Sequence, residues 1–229
     1  MKYLITLLLG MLIGAALFVA GLYFNPFAAR QTISPLALPD GRIIDLSFTN
    51  VPAEMVLYTN NGQAVGKPQP ARVQQLWEST VQNSRVSVVS LTSARGEPAG
   101  IGVKFASESE DTRPLQAKAL VNSAWFVYLP GRGSLFVQQT ENYWAYLRDI
   151  VVPARWSSSD SWRGAWHRIT TSGPGALGTA RVVGLSGEFA GLVAEAVESV
   201  DAKAYSAVDG PVGMTGALSV SISPAATDD

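Results

Sequence analysis

Twenty-two consecutive residues without a charge, Tyr3 to Phe24 (YLITLLLGMLIGAALFVAGLYF), constrain this chain more than any other feature. As an α-helix the run extends ~33 Å at ~1.5 Å per residue, enough to cross the ~30 Å hydrocarbon core of a bilayer. Lys2 precedes it, and Tyr3, Tyr23 and Phe24 lie near its ends, where aromatic rings favour the membrane interface. Asn25-Pro26 ends the helix, because proline disfavours helical geometry in the residue before it. The run exceeds the ~7–15 apolar residues of a signal peptide, and the bulky flank Phe24-Asn25-Pro26-Phe27 is a poor cleavage site.

An uncleaved signal-anchor is therefore expected over residues 1–24. A short N-terminal tail bearing Lys2 favours the cytoplasmic side, which places the following domain in the periplasm or outside the cell. Gly10, Gly14 and Gly21 fall close to one helix face. Gly10-x-x-x-Gly14 is the small-residue spacing that lets two membrane helices approach closely. The bilayer is one expected partner, and a second transmembrane subunit or a second copy is another.

Residues 25–41 contain three prolines and read as a linker. From 42 to 224 the pattern is that of one β domain, and 225–229 read as a disordered tail. Strands are expected at 42–48, 54–59, 85–92, 100–106, 115–129, 134–140, 143–152, 179–185, 189–200 and 212–223. Asn60-Asn61-Gly62 and Gly131-Arg132-Gly133 supply turn signals. The segment 189–200 also suits a helix by its Ala, Glu and Leu content. One soluble helix is expected at 68–83, where Val73, Leu76, Trp77 and Val81 follow helical spacing. Ser107–Pro114 and Pro153–Arg168 read as loops. Many short strands with regular turns point to a mainly β fold, an antiparallel calycin-like β-barrel with one accessory helix and one transmembrane helix.

Composition narrows the chemistry. Lys+Arg 17 against Asp+Glu 18 leaves no basic excess for phosphate neutralisation, so nucleic acid is not an expected partner. With no cysteine there is no disulfide, thiolate nucleophile or cysteine-ligated metal. There is no Asn-x-Ser/Thr sequon, and the picture suits a bacterial envelope protein. His167 is the only histidine, too few imidazoles for a typical catalytic zinc site. A Ser-His-Asp arrangement would need His167 with Asp160 or Asp149 and a nucleophile such as Ser157, and no nucleophile-elbow motif supports one. Glu108, Glu110 and Asp111 lack the glycine and spacing of a calcium loop. No metal and no cofactor are expected. Gly173-Pro-Gly175-Ala-Leu-Gly178 matches the dinucleotide pattern formally, but a strand-like TARVVG follows where a helix is needed. Acid–base pairs drawn from Glu188, Glu195 and Glu198 have no spacing the sequence alone can fix.

The densest segment runs from Arg155 to Arg168. Trp156, Trp162 and Trp166 lie within eleven residues, interleaved with Arg155, Arg163 and Arg168 and followed by His167. Flat apolar rings beside planar cations suit an anionic or carbonyl-bearing ligand, a glycan, a membrane interface or a protein partner. The same rings could instead close a core. Trp156, Trp162, Arg163, Trp166, His167 and Arg168 are the expected contact residues.

Residues 173–222 carry a resemblance. GPGALGTARVVGLSGEFAGLVAEAVESV followed by GPVGMTGALSVSI resembles the C-terminal half of allene-oxide-cyclase-like and dirigent-like barrels, through Gly184, Ser186, Gly187, Phe189, Gly191 and Gly216. The resemblance covers about the last quarter of the chain. Leu185-Ser186 and Glu188 depart from the family pattern, and no lumen residue of the family can be matched. It implies an eight-stranded barrel with an apolar lumen for a small hydrophobic ligand. The expected function is a non-enzymatic, membrane-anchored module that binds a hydrophobic small molecule or serves as accessory subunit of a membrane complex. The alternatives are a cyclase or isomerase using the lumen, and a glycan-binding module.

Overall fold

The computed structural model describes residues 2–24, 34–36, 42–49, 56–60, 63–66, 74–75 and 84–222. The linker and the tail lie largely or wholly outside these residues. The N-terminal run is a helix, α1 (Lys2–Tyr23), long and apolar enough to cross a membrane. Ideal Cβ atoms at Gly10, Gly14 and Gly21 would meet nothing within 4 Å, so that face is open to another helix.

The remainder is mainly β, in one antiparallel sheet. Its principal strands are β1 (Arg42–Thr49), β5 (Arg85–Ser93), β6 (Pro98–Glu108), β7 (Leu120–Leu129), β8 (Gly133–Asn142), β11 (Ala180–Gly187), β12 (Val193–Ser206) and β13 (Gly210–Ile222). They are joined in the order β1-β13-β12-β11-β8-β7-β6-β5. β1 also pairs with β5, through Leu46 with Ser93 and Ser47 with Thr92, so the path of pairings returns to its start. Short strands β2 (Val56–Asn60), β3 (Gln63–Gly66) and β4 (Gln74–Gln75) extend beyond β5. β9 (Ser161–Ile169) pairs with β12, and β10 (Thr171–Gly173) pairs with β8.

Side chains of period two line the buried face. Ile44, Leu46 and Phe48 of β1 meet Val89 and Leu91, Trp125, Val127 and Leu129, Leu135 and Val137, Val182, and Leu218 and Val220 in one apolar cluster. The resemblance segment covers β11, β12 and β13, and its glycine-rich part from Gly184 to Gly191 makes the β11–β12 turn. At Gly184 a Cβ would overlap the Phe189 carbonyl, and at Gly187 φ is +65°. Only glycine meets both demands, which explains their placement in the sequence.

Three expected elements differ. The strand expected at 115–129 starts at Leu120, because a 3-10 turn over Pro114–Gln116 and Ala117 at φ +56° precede it. Residues 143–152 are not a strand: a helical segment runs through α2 (Trp144–Tyr146), a π-helical stretch (Leu147–Val151) and α3 (Val152–Trp156). Asn142 Oδ1 accepts the Trp144 N–H at 3.0 Å and starts the turn. Tyr146, Ile150 and Ala154, four residues apart, pack inward on one side, and that burial outweighs the strand propensity of Tyr, Ile and Val. The expected loop 153–168 is likewise α3 followed by strand β9. The ambiguous segment 189–200 is mostly strand. Of the helix expected at 68–83, only Gln74 and Gln75 are described, as strand β4; the rest lies outside the described residues.

Candidate functional site

At the end of the sheet where β8 runs into the helical segment, the buried face turns polar. Lys104 on β6 places its Nζ 2.8 Å from Glu141 Oε2 on β8 and 2.7 Å from Glu198 Oε1 on β12. All three are buried: 7% exposed for Lys104, none for Glu141 and 2% for Glu198. Glu141 also accepts hydrogen bonds from Ser123 and Tyr143, each at 2.7 Å. Glu198 accepts from Trp125 Nε1 at 2.8 Å and from Gln139. Thr171 donates to Gln139 at 2.7 Å and accepts the Glu198 backbone N–H at 2.7 Å. Lys104 lies 5.3 Å from the Trp125 ring centroid.

One ammonium serves two carboxylates, and the pKa values divide accordingly. Desolvation would lower Lys104, but Glu141 and Glu198 together hold it above its usual value. Desolvation would raise Glu141, yet Lys104, Ser123 and Tyr143 bring it below the usual carboxylate range. Glu198 is raised by desolvation and by the charge of Glu141, with Lys104 and Trp125 only partly offsetting them. Glu198 is thus the member that takes up a proton first.

Two cavities open at this end, on either side of Trp144. The larger, about 800 Å³, is an open, mostly apolar groove walled by Ala106, Pro114, Leu120, Val121 and Leu147, with Tyr143, Arg85, Glu108 and Thr112 also lining it. The smaller, about 250 Å³, lies between Lys118, Asn142, Arg148, Arg168, Thr170 and Thr171, with the Trp166 ring beside them. Trp144 borders both. The helical segment sorts the walls: Tyr143 and Leu147, four apart, face the groove, while Trp144 and Arg148, also four apart, face the small cavity.

The expected contact residues separate. Trp166 is 9% exposed and joins Ile150, Val200, Ala202 and Met214 in a second apolar cluster, with Trp162 packed against it. Its Nε1 donates to Asp149 Oδ2 at 3.2 Å. Arg168 reaches the small cavity. His167 is exposed and its Nδ1 lies 2.9 Å from Asp201 Oδ1, away from Ser157. Arg163 and Gly164 lie on the exposed part of β9. Trp156, 76% exposed, ends α3. Glu188 pairs with Arg132, so it does not join Glu198. Among the described residues no group of three or more His, Cys, Asp or Glu could hold a metal. The glycine-rich 173–178 segment leads into strand β11, without the helix a dinucleotide loop needs.

The sequence reading missed Lys104 and Glu141. Their signal was present: each falls in phase with buried neighbours, Gly102 and Ala106 for Lys104 and Val137 and Gln139 for Glu141. Compared with protein families and with curated proteins, the chain matches no family model and no curated protein.

Proposed function

We propose that this chain is a membrane-anchored extracytoplasmic binding module. In this reading the N-terminus is cytoplasmic, α1 spans the bilayer, and the domain closes as an eight-stranded antiparallel barrel that holds a hydrophobic small molecule at its helix-capped end. The return of the pairing path from β5 to β1, and the resemblance at 173–222, support barrel closure. The apolar groove beside Trp144 carries the functional reading, because its ~800 Å³ falls within the ~300–1,000 Å³ of small-molecule sites. The interior beneath it is filled by Trp125, Leu129, Leu135 and the Lys104 network, so the ligand sits at the mouth and not in a lumen. Lys104, Glu141 and Glu198 satisfy one another and are shielded from any substrate, which favours a structural role over lumen chemistry. With Trp162 and Trp166 turned into packing, a glycan platform would retain only Trp156 as a freely exposed ring.

The accessory-subunit reading rests on a separate observation. The outer face carries one apolar row across four strands: Val103, Phe126, Phe136 and Val183 are register partners, flanked by Ile101, Phe105 and Leu185. Contiguous exposed apolar surface of this kind marks interaction faces.

Native mass spectrometry of the full chain released from nonionic detergent tests both. A retained apolar small molecule, lost on Leu147→Glu with melting unchanged, supports the groove. A retained protein subunit lost on Phe126→Ser with Phe136→Ser supports the second reading. Release of bare monomer from every preparation would overturn both.

A further inference from the structure

The groove accounts for an apolar body, and its smaller neighbour has different chemistry. None of the residues lining the 250 Å³ cavity is acidic, while Lys118, Arg148 and Arg168 are cationic. Two of its side chains carry buried donor atoms with no hydrogen-bond partner, Trp144 Nε1 and Arg168 Nε. A buried N–H without an acceptor costs ~1–3 kcal/mol, so two in residues that line one cavity favour an acceptor from outside the chain.

Asn142, Thr170 and Thr171 are committed elsewhere, and the other neutral polar side chains of the lining, Gln116 and Ser172, are exposed. Asn142 accepts from the Ala119 and Trp144 backbones and donates to the Ala117 carbonyl. Thr170 and Thr171 turn inward to the Glu141–Glu198 network. Arg168 gives Nη1 to the His167 carbonyl at 2.9 Å, which fixes the guanidinium and leaves Nε free. Asp149 is the carboxylate whose charge reaches Arg168, and Arg148 holds it through Nε and Nη2 at 2.6 and 3.1 Å, with Trp166 as a third donor.

We infer that this cavity binds the oxyanion headgroup of an amphiphile, a carboxylate or a phosphate, whose apolar chain lies across Trp144 in the groove. The inference rests on the small-molecule reading above and adds the chemical class of the ligand. An indole N–H and a guanidinium Nε supply two donors for two oxygens, and hydrogen bonds to charged groups are the stronger kind. The single ring that borders both cavities places the change from apolar to charged at one point along the ligand.

The test is a calorimetric titration of the full chain in nonionic detergent, corrected by titration of detergent alone. The probes are octanoate, octyl phosphate, 1-octanol, acetate and inorganic phosphate. Octanoate or octyl phosphate should bind at least about ten-fold tighter than 1-octanol. Arg168→Gln and Trp144→Phe should each erase most of that advantage, read in each variant as the ratio of anionic-probe to 1-octanol affinity. Lys118 is exposed and its replacement does not threaten folding, so Lys118→Gln should reduce the advantage two- to three-fold, on the order of an exposed charge contact. Equal binding of 1-octanol and both anionic probes would overturn the headgroup assignment and leave the apolar groove standing. Acetate or inorganic phosphate binding as tightly as the octyl anions would keep the anion site and overturn the amphiphile. No binding by any probe would overturn both.

Discussion

Replacing Lys104 by methionine isolates the cost of the buried charges. The ammonium stands 2.7–2.8 Å from one oxygen of each carboxylate, and neither Glu141 nor Glu198 has another cationic partner among the described residues. Methionine keeps most of the side-chain volume, so packing changes little. Glu141 retains Ser123 and Tyr143, and Glu198 retains Trp125 and Gln139, but the two charges then face each other with nothing between them. Breaking a buried pair by removing one member costs ~3–5 kcal/mol. Urea unfolding of the full chain in nonionic detergent, followed by tryptophan fluorescence, measures the loss as a shift in midpoint at constant slope.

The pH dependence carries the sign. In Lys104→Met both carboxylates have folded pKa values above their unfolded ones, so the variant binds more protons when folded and gains stability as pH falls toward about 4.5. The deficit against wild type should therefore be largest near pH 8 and shrink toward pH 5. In the wild type Glu141 works the other way: its depressed pKa gives stability present above the ordinary glutamate value and lost as pH falls through the folded one. Adding Glu141→Gln and Glu198→Gln to Lys104→Met removes the uncompensated charge and should recover most of the loss. A deficit under about 1 kcal/mol at pH 8, or one equal at pH 5 and pH 8, would refute the account.

Trp166→Ala should destabilise the chain by ~3–5 kcal/mol in the same urea assay, because the ring is buried against Ile150 and Val200. Trp156→Ala should stay within ~0.5 kcal/mol, its ring being exposed, and a larger loss would place that ring in packing as well. In the anchor, Gly10→Ile with Gly14→Ile should abolish self-association or subunit recovery in an affinity pull-down while the domain's unfolding midpoint stays put. Unchanged recovery would remove the glycine face from consideration.

How far the sequence could be read follows from which forces were local. The N-terminal helix was legible because twenty-two uncharged, apolar residues leave few folds open, and α1 runs from Lys2 to Tyr23 almost as expected. Strands such as 100–106 and 134–140 were legible because alternation alone sets which side is buried. The helical segment 144–156 was not. Its aromatic and β-branched residues favour a strand locally, and the helix exists because Tyr146 and Ile150 find a surface made by Trp166 of the next strand, β9, and by Val200 and Ala202 of the more distant β12. The Trp–Arg segment misled for the same reason. Three tryptophans close in sequence looked like one surface, but a register irregularity in β9 between Arg163 and Trp166 lets both Trp162 and Trp166 pack into the second apolar cluster, while Trp156 belongs to a different element.

The polar network and the small cavity connect these two lessons. Lys104, Glu141 and Glu198 come from three strands and meet only when β6, β8 and β12 share one interior, so strand phase marks Lys104 and Glu141 as inward but no spacing announces that the three meet. Thr170 and Thr171 satisfy that network from outside, and in doing so they become walls of the cavity that holds Arg168 and Trp144. Removing charge from the network therefore need not disturb the cavity's free donors, since Trp144 Nε1 and Arg168 Nε make no bond to it. Stability and ligand binding should separate along that line: the Lys104 variant loses folding free energy, most of it near pH 8, yet keeps its preference for an anionic probe, whereas Arg168→Gln loses the preference and keeps the midpoint.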